Sequence, residues 1–186
     1  MGTIMPAFDY HVEEGRLIGR LLAGYGELEI DLANVVASVL QDRDAAFKAI
    51  FRTPGEVGRI IVGDGLVRHQ IPAGKIHTIF CQGIAAMHEC RKIRNQYAHC
   101  QWWNEHSALY YMDLQTELAG NAPFSNLNLN RHRIGKDVLQ EQEAYFCYTQ
   151  ECFIYVRQEV QKAKGHLAPN PEIEAPRSMP IPRRHS

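Results

Sequence analysis

Residues 72–103 read PAGKIHTIFCQGIAAMHECRKIRNQYAHCQWW, and this stretch decides the fold. Its apolar residues recur every three or four positions, which is the period of a helix that buries one face. The members of this stripe are Ile76, Phe80, Ile84, Met87, Cys90 and Tyr97. Arg94 follows the same spacing, so a charged side chain takes a position that the pattern otherwise gives to apolar residues. The sequence predicts a long helix that begins near Pro72 and carries a polar segment, RNQYAH, at its far end.

The same helical period extends along most of the chain on both sides of this stretch. The predicted helices cover residues 10–40, 44–51, 53–67, 72–99 and 136–164. Two short, partly alternating segments, 107–114 and 126–134, precede the last helix and predict a small β-hairpin or an ordered loop. The fold class that we expect is therefore all-α: an up-and-down bundle of four to five helices with a small irregular or β-hairpin insertion before the last helix.

Length and composition indicate one folded domain followed by a tail. A chain of 186 residues suits a single hydrophobic core, and its composition does not change before residue 165. From Gly165 onward the sequence holds five of the nine prolines and ends in Pro-Arg-Arg-His-Ser. Such a segment has too few large apolar residues to order itself by burial. We expect a helical domain over 1–164 and a Pro-rich, disordered tail over 165–186.

Charge and hydropathy bound the compartment and the partners. No apolar run approaches the roughly 20 residues that cross a bilayer, and the first residues, MGTIMPAFDYHVEE, lack the basic and apolar regions of a secretory signal. We therefore expect a cytoplasmic protein with no membrane partner. The formal net charge is −1, so any contact with a nucleic acid must come from a local basic patch rather than from the whole surface.

Five cysteines, an odd number, occur without a C-x-x-C pair: Cys81, Cys90, Cys100, Cys147 and Cys152. This pattern is typical of reduced, partly buried thiols rather than of a disulfide framework. His77 and Cys81 are one helical turn apart and could chelate a metal. His88 lies about 10 Å farther along the helix than Cys81, which is too far for the same ion. We therefore expect no metal and no cofactor.

Arg94, Asn95 and His99 are the residues of the polar segment that could carry chemistry. On a helix Arg94 and His99 lie about 140° apart around the axis and about 7.5 Å apart along it, whereas Asn95 and His99 share a face. Arg94 and His99 converge on one ligand only under one of three conditions. The arginine curls along the helix, the helix unwinds near His99, or a second copy of the chain supplies the other half across a two-fold axis.

At this segment the chain resembles the HEPN superfamily, whose members share an R-x(4–6)-H motif near the end of a helix in an α-helical bundle. Here the motif reads Arg94-Asn95-Gln96-Tyr97-Ala98-His99 and includes the Asn that many members carry directly after the Arg. A long Glu-containing helix precedes the motif and a last long helix follows it, as in that family. The motif resemblance covers about ten residues, and the resemblance in helix layout covers roughly 10–164.

The resemblance implies a metal-independent endoribonuclease that works as a homodimer, with two motifs facing each other across a cleft. His99 would take a proton from a ribose 2′-OH or give one to the leaving 5′-oxygen. Arg94 would hold the phosphate with its planar fork, and Asn95 would orient His99 or a phosphate oxygen. Basic and aromatic neighbours would bind the RNA, namely Arg91, Lys92 and Tyr97.

The family context leaves other functions and partners open. Some members only bind RNA or nucleotides, so the alternative function is a catalytically silent binding or scaffolding protein that acts with a partner. In others a nucleotidyltransferase modifies a Tyr two residues after the motif His, a position that Gln101 occupies here. That departure disfavours tyrosine modification but is compatible with an antitoxin or regulatory protein as a partner, in a toxin–antitoxin or phage-defence setting.

Purely structural roles are the competing interpretation of the same residues. Arg94 would then extend from the helix edge to solvent, or form an ion pair with an acidic residue of the first long helix: Glu27, Glu29 or Asp31. His99 would interact favourably with the helix dipole. Glu29 itself is expected to be a surface acid. The Trp102–Trp103 pair is expected to lie in the core rather than to stack on bases.

Overall fold

The computed structural model describes residues 4–113, 130–167 and 174–185. Its elements in chain order are α1 (Ala7–Tyr10), α2 (Val12–Leu40), α3 (Arg43–Phe51), α4 (Glu56–Val67), α5 (Lys75–Ala98), β1 (Cys100–Glu105), β2 (Ala108–Asp113), β3 (His132–Ile134) and α6 (Lys136–Ala163). The predicted helices are confirmed, each to within three residues at either end. None of the described helices has the length and apolarity that a membrane span requires.

The chain is mostly helical but not strictly all-α, because a three-stranded antiparallel sheet of order β1-β2-β3 precedes α6. Trp102 lies opposite Tyr111, and Tyr111 lies opposite His132. Both predicted segments contain a strand, since β2 lies within 107–114 and β3 within 126–134, and the two pair antiparallel. The hairpin of β1 with β2 was not predicted. Its turn is formed by His106 and Ser107, which adopt positive φ angles of 50° and 59° without the Gly or Asn that signals such a turn. Residues 114–129, which hold parts of both predicted segments, lie outside the described residues.

The described part of the chain separates into two compact units that interleave along the sequence. The first unit comprises residues 1–23, 92–144 and 182–186, and the second comprises residues 24–91 and 145–181, as far as these are described. The three long helices, α2, α5 and α6, contribute residues to both units. The up-and-down arrangement of the helices therefore stays a prediction.

Close contact between helices builds the core of the second unit. Leu28, Leu32 and Ile60 are at most 2% exposed. A Cβ atom on Gly63 of α4 would lie 2.7 Å from Leu32 Cδ2 of α2, so the packing of these helices requires glycine. A Cβ atom on Gly83 of α5 would lie 3.1 Å from Phe153 Cε1 of α6. Helix-on-helix contacts therefore form the core of this unit.

The sheet gives the first unit one buried face and one outer face. Leu109, Tyr111 and Ile134 point to the buried face and are at most 2% exposed. Alternate residues of the strands point the other way, and there the Trp103 and Tyr110 rings lie parallel with their centroids 6.1 Å apart. An antiparallel sheet with one covered face is an ordinary arrangement of this kind.

The end of the tail contacts the first unit, whereas we expected the whole of 165–186 to be disordered. Arg183 Nη2 forms salt bridges with Asp137 at 2.9 Å and with Glu141 at 2.6 Å. Gln142 Nε2 donates a hydrogen bond to the carbonyl oxygen of Arg183 at 2.7 Å. These contacts join the tail to the beginning of α6. Residues 168–173 and 186 lie outside the described residues, and the expectation of disorder stays a prediction for them.

Candidate functional site

The last turn of α5 and the turn that follows it hold the Arg-to-His motif. The helix ends at Ala98, His99 lies in a turn, and β1 begins at Cys100. The Cys100 thiol donates a hydrogen bond to the carbonyl oxygen of Gln96. This bond satisfies one of the carbonyl groups that have no partner within the helix at its C-terminal end. The helix therefore ends directly before His99, which corresponds to one of the three conditions under which Arg94 and His99 would converge. The His99 side chain is exposed.

Arg94 lies beside the buried stripe of α5 rather than on it. Ile93 and Tyr97 are 1% and 2% exposed and carry the stripe onward from Cys90, whereas Arg94 is half-buried. From Cys90, a step of three residues reaches Ile93 and a step of four reaches Arg94, and both fit a period of 3.6 residues. The apolar side chain, Ile93, is the one that occupies the core. Arg94 Nη1 donates a hydrogen bond to Asn95 Oδ1 at 3.0 Å. Asn95 therefore fixes the guanidinium at the edge of the helix.

Tyr97 belongs to the core of the first unit and not to a binding surface. Its hydroxyl donates to Gln142 Oε1 at 2.7 Å, and its ring centroid lies 5.6 Å from that of Trp102 and 5.7 Å from that of Tyr111. Burial raises the pKa of the Tyr97 phenol well above its usual range. A ring that is enclosed in this way has no face on which a base could stack, so we leave Tyr97 out of the site.

The Trp102 ring joins the same aromatic cluster but is half-buried, so the core position that we expected for the tryptophan pair is met only in part. Its centroid is 5.3 Å from that of Tyr111 and 5.4 Å from that of Phe8. Trp103 instead lies on the outer face of the sheet and is half-buried. Strand alternation explains the difference, because neighbouring residues of a strand point to opposite faces.

The end of the tail holds the middle of the motif in place. Gln96 Nε2 donates to the Tyr111 hydroxyl at 2.5 Å and to the carbonyl oxygen of Arg184 at 2.8 Å. The Tyr111 hydroxyl donates to the same carbonyl oxygen at 3.3 Å. Gln96 and His99 are three residues apart, so the tail is bound close to the end of the helix face that leads to His99. Sequence patterns gave no indication of this contact.

The two basic residues predicted to bind RNA fall in different units. Lys92 lies in the first unit with Arg94 and His99, and it is exposed. Arg91 lies in the second unit, is half-buried, and its Nε atom is buried with no hydrogen-bond partner among the described residues. Only Lys92 is therefore placed in the same unit as the motif.

Glu29 is a buried acid, contrary to our expectation of a surface position. It is 6% exposed and its Oε2 accepts a hydrogen bond from Arg59 Nη1 at 2.7 Å. An ion pair of this kind allows a carboxylate to be buried. Asp31, another acid that we considered as a partner of Arg94, accepts a hydrogen bond from Gln150 Nε2 at 2.9 Å. Both of these contacts lie within the second unit.

The His77–Cys81 pair lies in a setting that favours hydrogen bonding. Cys81 Sγ is 3.7 Å from His77 Nδ1 and accepts a hydrogen bond from Arg68 Nη1 at 3.0 Å. Arg68 is in turn held by both carboxylate oxygens of Asp64 at 2.8 Å. Within the described ranges, no group of three or more His, Cys, Asp or Glu side chains is arranged to hold a metal ion.

The structure thus brings Arg94, Asn95 and His99 to one helix end and keeps Lys92 in the same unit. It moves Tyr97 into the core and assigns Arg91 to the other unit. This arrangement can hold a phosphate through the guanidinium and can transfer a proton through the exposed imidazole. Comparison of the chain with protein-family models, curated proteins and solved structures gave no match.

Proposed function

We propose that this chain is a metal-independent endoribonuclease that resembles the HEPN superfamily. One observation carries the proposal: α5 ends at Ala98, so the exposed His99 lies in a turn, five residues after a half-buried Arg94 that Asn95 holds. A phosphate-binding guanidinium and an imidazole that can move protons near neutral pH are the two groups that cleavage of RNA at the 2′-hydroxyl requires.

The proposed reaction is an internal transesterification. An imidazole takes the proton of the ribose 2′-OH, the 2′-oxygen attacks the phosphorus, and the bond from phosphorus to the 5′-oxygen breaks. A protonated imidazole gives its proton to that oxygen as it leaves. The products are a 2′,3′-cyclic phosphate and a 5′-hydroxyl. Arg94 binds the phosphate and stabilises the charge that develops on it, and Asn95 keeps the guanidinium in position.

Two copies of the chain supply the two imidazoles in this proposal. A homodimer with paired motifs places one His99 on each side of the scissile phosphate, so one can act as the base and the other as the acid. The substrate is cytoplasmic RNA, and DNA is not cut because it lacks the 2′-hydroxyl. An antitoxin or regulatory protein restrains the activity in a toxin–antitoxin or phage-defence setting.

A cleavage assay with matched variants tests the proposal. Labelled single-stranded RNA is incubated with the wild type, His99→Ala and His106→Ala in the presence of EDTA. His106 is a fair control because it is an exposed imidazole of the same unit, at the turn between β1 and β2. We expect cleavage by the wild type and by His106→Ala, and a loss of at least about 100-fold for His99→Ala. Equal rates for His99→Ala and the wild type would reject the proposal.

One observation favours a second candidate, a catalytically silent protein that binds RNA or nucleotides and acts with a partner. Within the described residues the His99 imidazole makes no hydrogen bond. A catalytic histidine is usually oriented by a further polar group. Fluorescence anisotropy with the same RNA separates the candidates, because the silent protein binds the RNA without shortening it.

A further inference from the structure

A polar cavity of about 630 Å³ lies in the second unit, and its lining includes none of the candidate site residues. The polar side chains that line it come from three helices and from the segment after α6: Asn34, Ser38, Arg43, Arg157, Gln161 and His166. Its volume is in the range of sites that take small molecules. The question is what ligand this lining would select.

The charged groups of the lining are all basic. Arg43 comes from α3 and Arg157 from α6, while none of the lining residues carries a carboxylate. The Arg43 guanidinium lies over the Phe47 ring, 5.2 Å from its centroid. Among the described residues, neither arginine forms a salt bridge or a side-chain hydrogen bond. Two guanidinium groups that face one cavity repel each other, and an anion between them would remove that repulsion.

One acidic side chain, Asp31, lies close enough to interact electrostatically with Arg157. Burial raises the pKa of Asp31, while the hydrogen bond from Gln150 and the charge of Arg157 act against this rise. Asp31 does not line the cavity, and its carboxylate is already bound to Gln150. The charged side chains that line the cavity are therefore basic only.

A turn between α2 and α3 contributes to the lining of the cavity. Gln41 also lines the cavity and adopts a left-handed φ of 59°, a strained conformation for a residue other than glycine. This turn allows Asp42 to cap α3 and leaves Arg43 at the first position of that helix. The carbonyl oxygen of Val39 accepts a hydrogen bond from Lys164 Nζ, and that of Gln161 accepts one from the His166 amide at 2.9 Å. These carbonyl acceptors at the ends of α2 and α6 are thus already satisfied.

We propose that this cavity binds the phosphoryl group of a small metabolite of up to nucleotide size. Arg43 and Arg157 hold the phosphoryl oxygens through their planar forks, as arginines commonly do. Asn34, Ser38 and Gln161 offer an amide, a hydroxyl and a second amide to the polar body of the ligand. No Phe, Tyr or Trp ring is among the lining residues, so the site recognises phosphate rather than a stacked base. This activity is independent of the proposed nuclease.

Isothermal titration calorimetry with defined probes tests the cavity. The wild type is titrated with inorganic phosphate, AMP and adenosine. Phosphate and AMP should bind and adenosine should not. Tighter binding of AMP than of phosphate would identify a nucleotide-like ligand, and equal binding would identify the phosphoryl group alone. The site is refuted if adenosine binds as well as AMP, or if neither phosphate nor AMP binds at millimolar concentration.

Three variants decide where the probe binds. We expect Arg43→Ala and Arg157→Ala each to weaken phosphate and AMP binding by at least about tenfold. Arg52→Ala is the control, because Arg52 is an exposed arginine at the other end of α3 that does not line the cavity. Circular dichroism checks that each variant is folded. Binding that is unchanged in both cavity variants would overturn the proposal.

Discussion

Two arginines, one in each unit, contact side chains of different charge. In the second unit Arg59 Nη1 lies 2.7 Å from Glu29 Oε2, and the Glu29 side chain is 7% exposed. In the first unit Arg94 Nη1 donates to the neutral amide oxygen of Asn95 at 3.0 Å, next to the turn with the exposed His99. A guanidinium against a buried carboxylate stabilises the fold, whereas we propose that Arg94 binds phosphate. Substitutions at the two positions should therefore change different properties.

The largest effect is expected for Arg94→Ala in the cleavage assay. Loss of the guanidinium removes stabilisation of the charge that develops on the phosphate, so the rate should fall between about 100-fold and 1,000-fold. The free energy of unfolding, measured with urea, should change by less than about 1 kcal/mol because the side chain lies at the edge of the core. A large decrease in the free energy of unfolding, with an unchanged cleavage rate per folded molecule, would show that Arg94 is a structural residue.

Arg59→Ala should give the opposite result. It leaves the buried Glu29 carboxylate without its partner, and we expect a loss of about 3 kcal/mol in the free energy of unfolding. At a temperature where the variant remains folded, its cleavage rate should equal that of the wild type. The paired substitution Glu29→Met with Arg59→Met serves as the control, since it removes both charges and should cost less than Arg59→Ala alone. If Arg59→Ala has the same urea midpoint of unfolding as the wild type, the ion pair does not stabilise the fold.

Alkaline pH provides a test in which the two units should behave alike. Burial raises the pKa of Cys90 in the second unit to about 12 and that of Cys100 in the first unit to about 12. The folded state keeps these thiols protonated while the unfolded state loses their protons from about pH 9 upward. The folded state then binds more protons, so stability falls as the pH rises from about 9 toward 12.

Urea unfolding at pH 8, 9.5 and 10.5 measures this effect. The midpoint should decrease in that order, with little change below pH 8. Cys90→Ala and Cys100→Ala should each reduce the slope, whereas Cys147→Ala should not, because Cys147 is exposed. A midpoint that stays constant up to pH 10.5 would contradict the burial of both thiols.

The smallest effect is expected for the contacts of the tail. Arg183 lowers the pKa of Asp137 and of Glu141 through its hydrogen bonds to them, so these contacts are lost only as the pH falls through their lowered pKa values. The double substitution Asp137→Asn with Glu141→Gln should release the end of the tail at neutral pH. Trypsin should then cut after Arg183 and Arg184 faster, while RNA cleavage should decrease less than for Arg94→Ala. An unchanged digestion rate would show that the salt bridges do not hold the tail.

The helices could be predicted from the sequence because their period is local. The same period could not show which of Ile93 and Arg94 is buried, since steps of three and four residues from Cys90 reach both positions. The hairpin of β1 with β2 was missed because His106 and Ser107 form its turn without a residue type that signals one. The Glu29–Arg59 pair and the contact of Gln96 with the tail join residues that are distant in the chain. Such contacts leave no periodic pattern and become visible only in the fold.

The termini of the cleavage products test the central claim most directly. RNA is digested in EDTA, alongside a matched oligonucleotide with a single 2′-deoxyribose at the preferred cleavage position. Attack by the 2′-hydroxyl predicts fragments that end in a 2′,3′-cyclic phosphate and begin with a 5′-hydroxyl, and it predicts no cleavage at the deoxyribose. Fragments with a 5′-phosphate, cleavage at the deoxyribose, or intact RNA after prolonged incubation would contradict the assignment of Arg94 and His99 as a ribonuclease site.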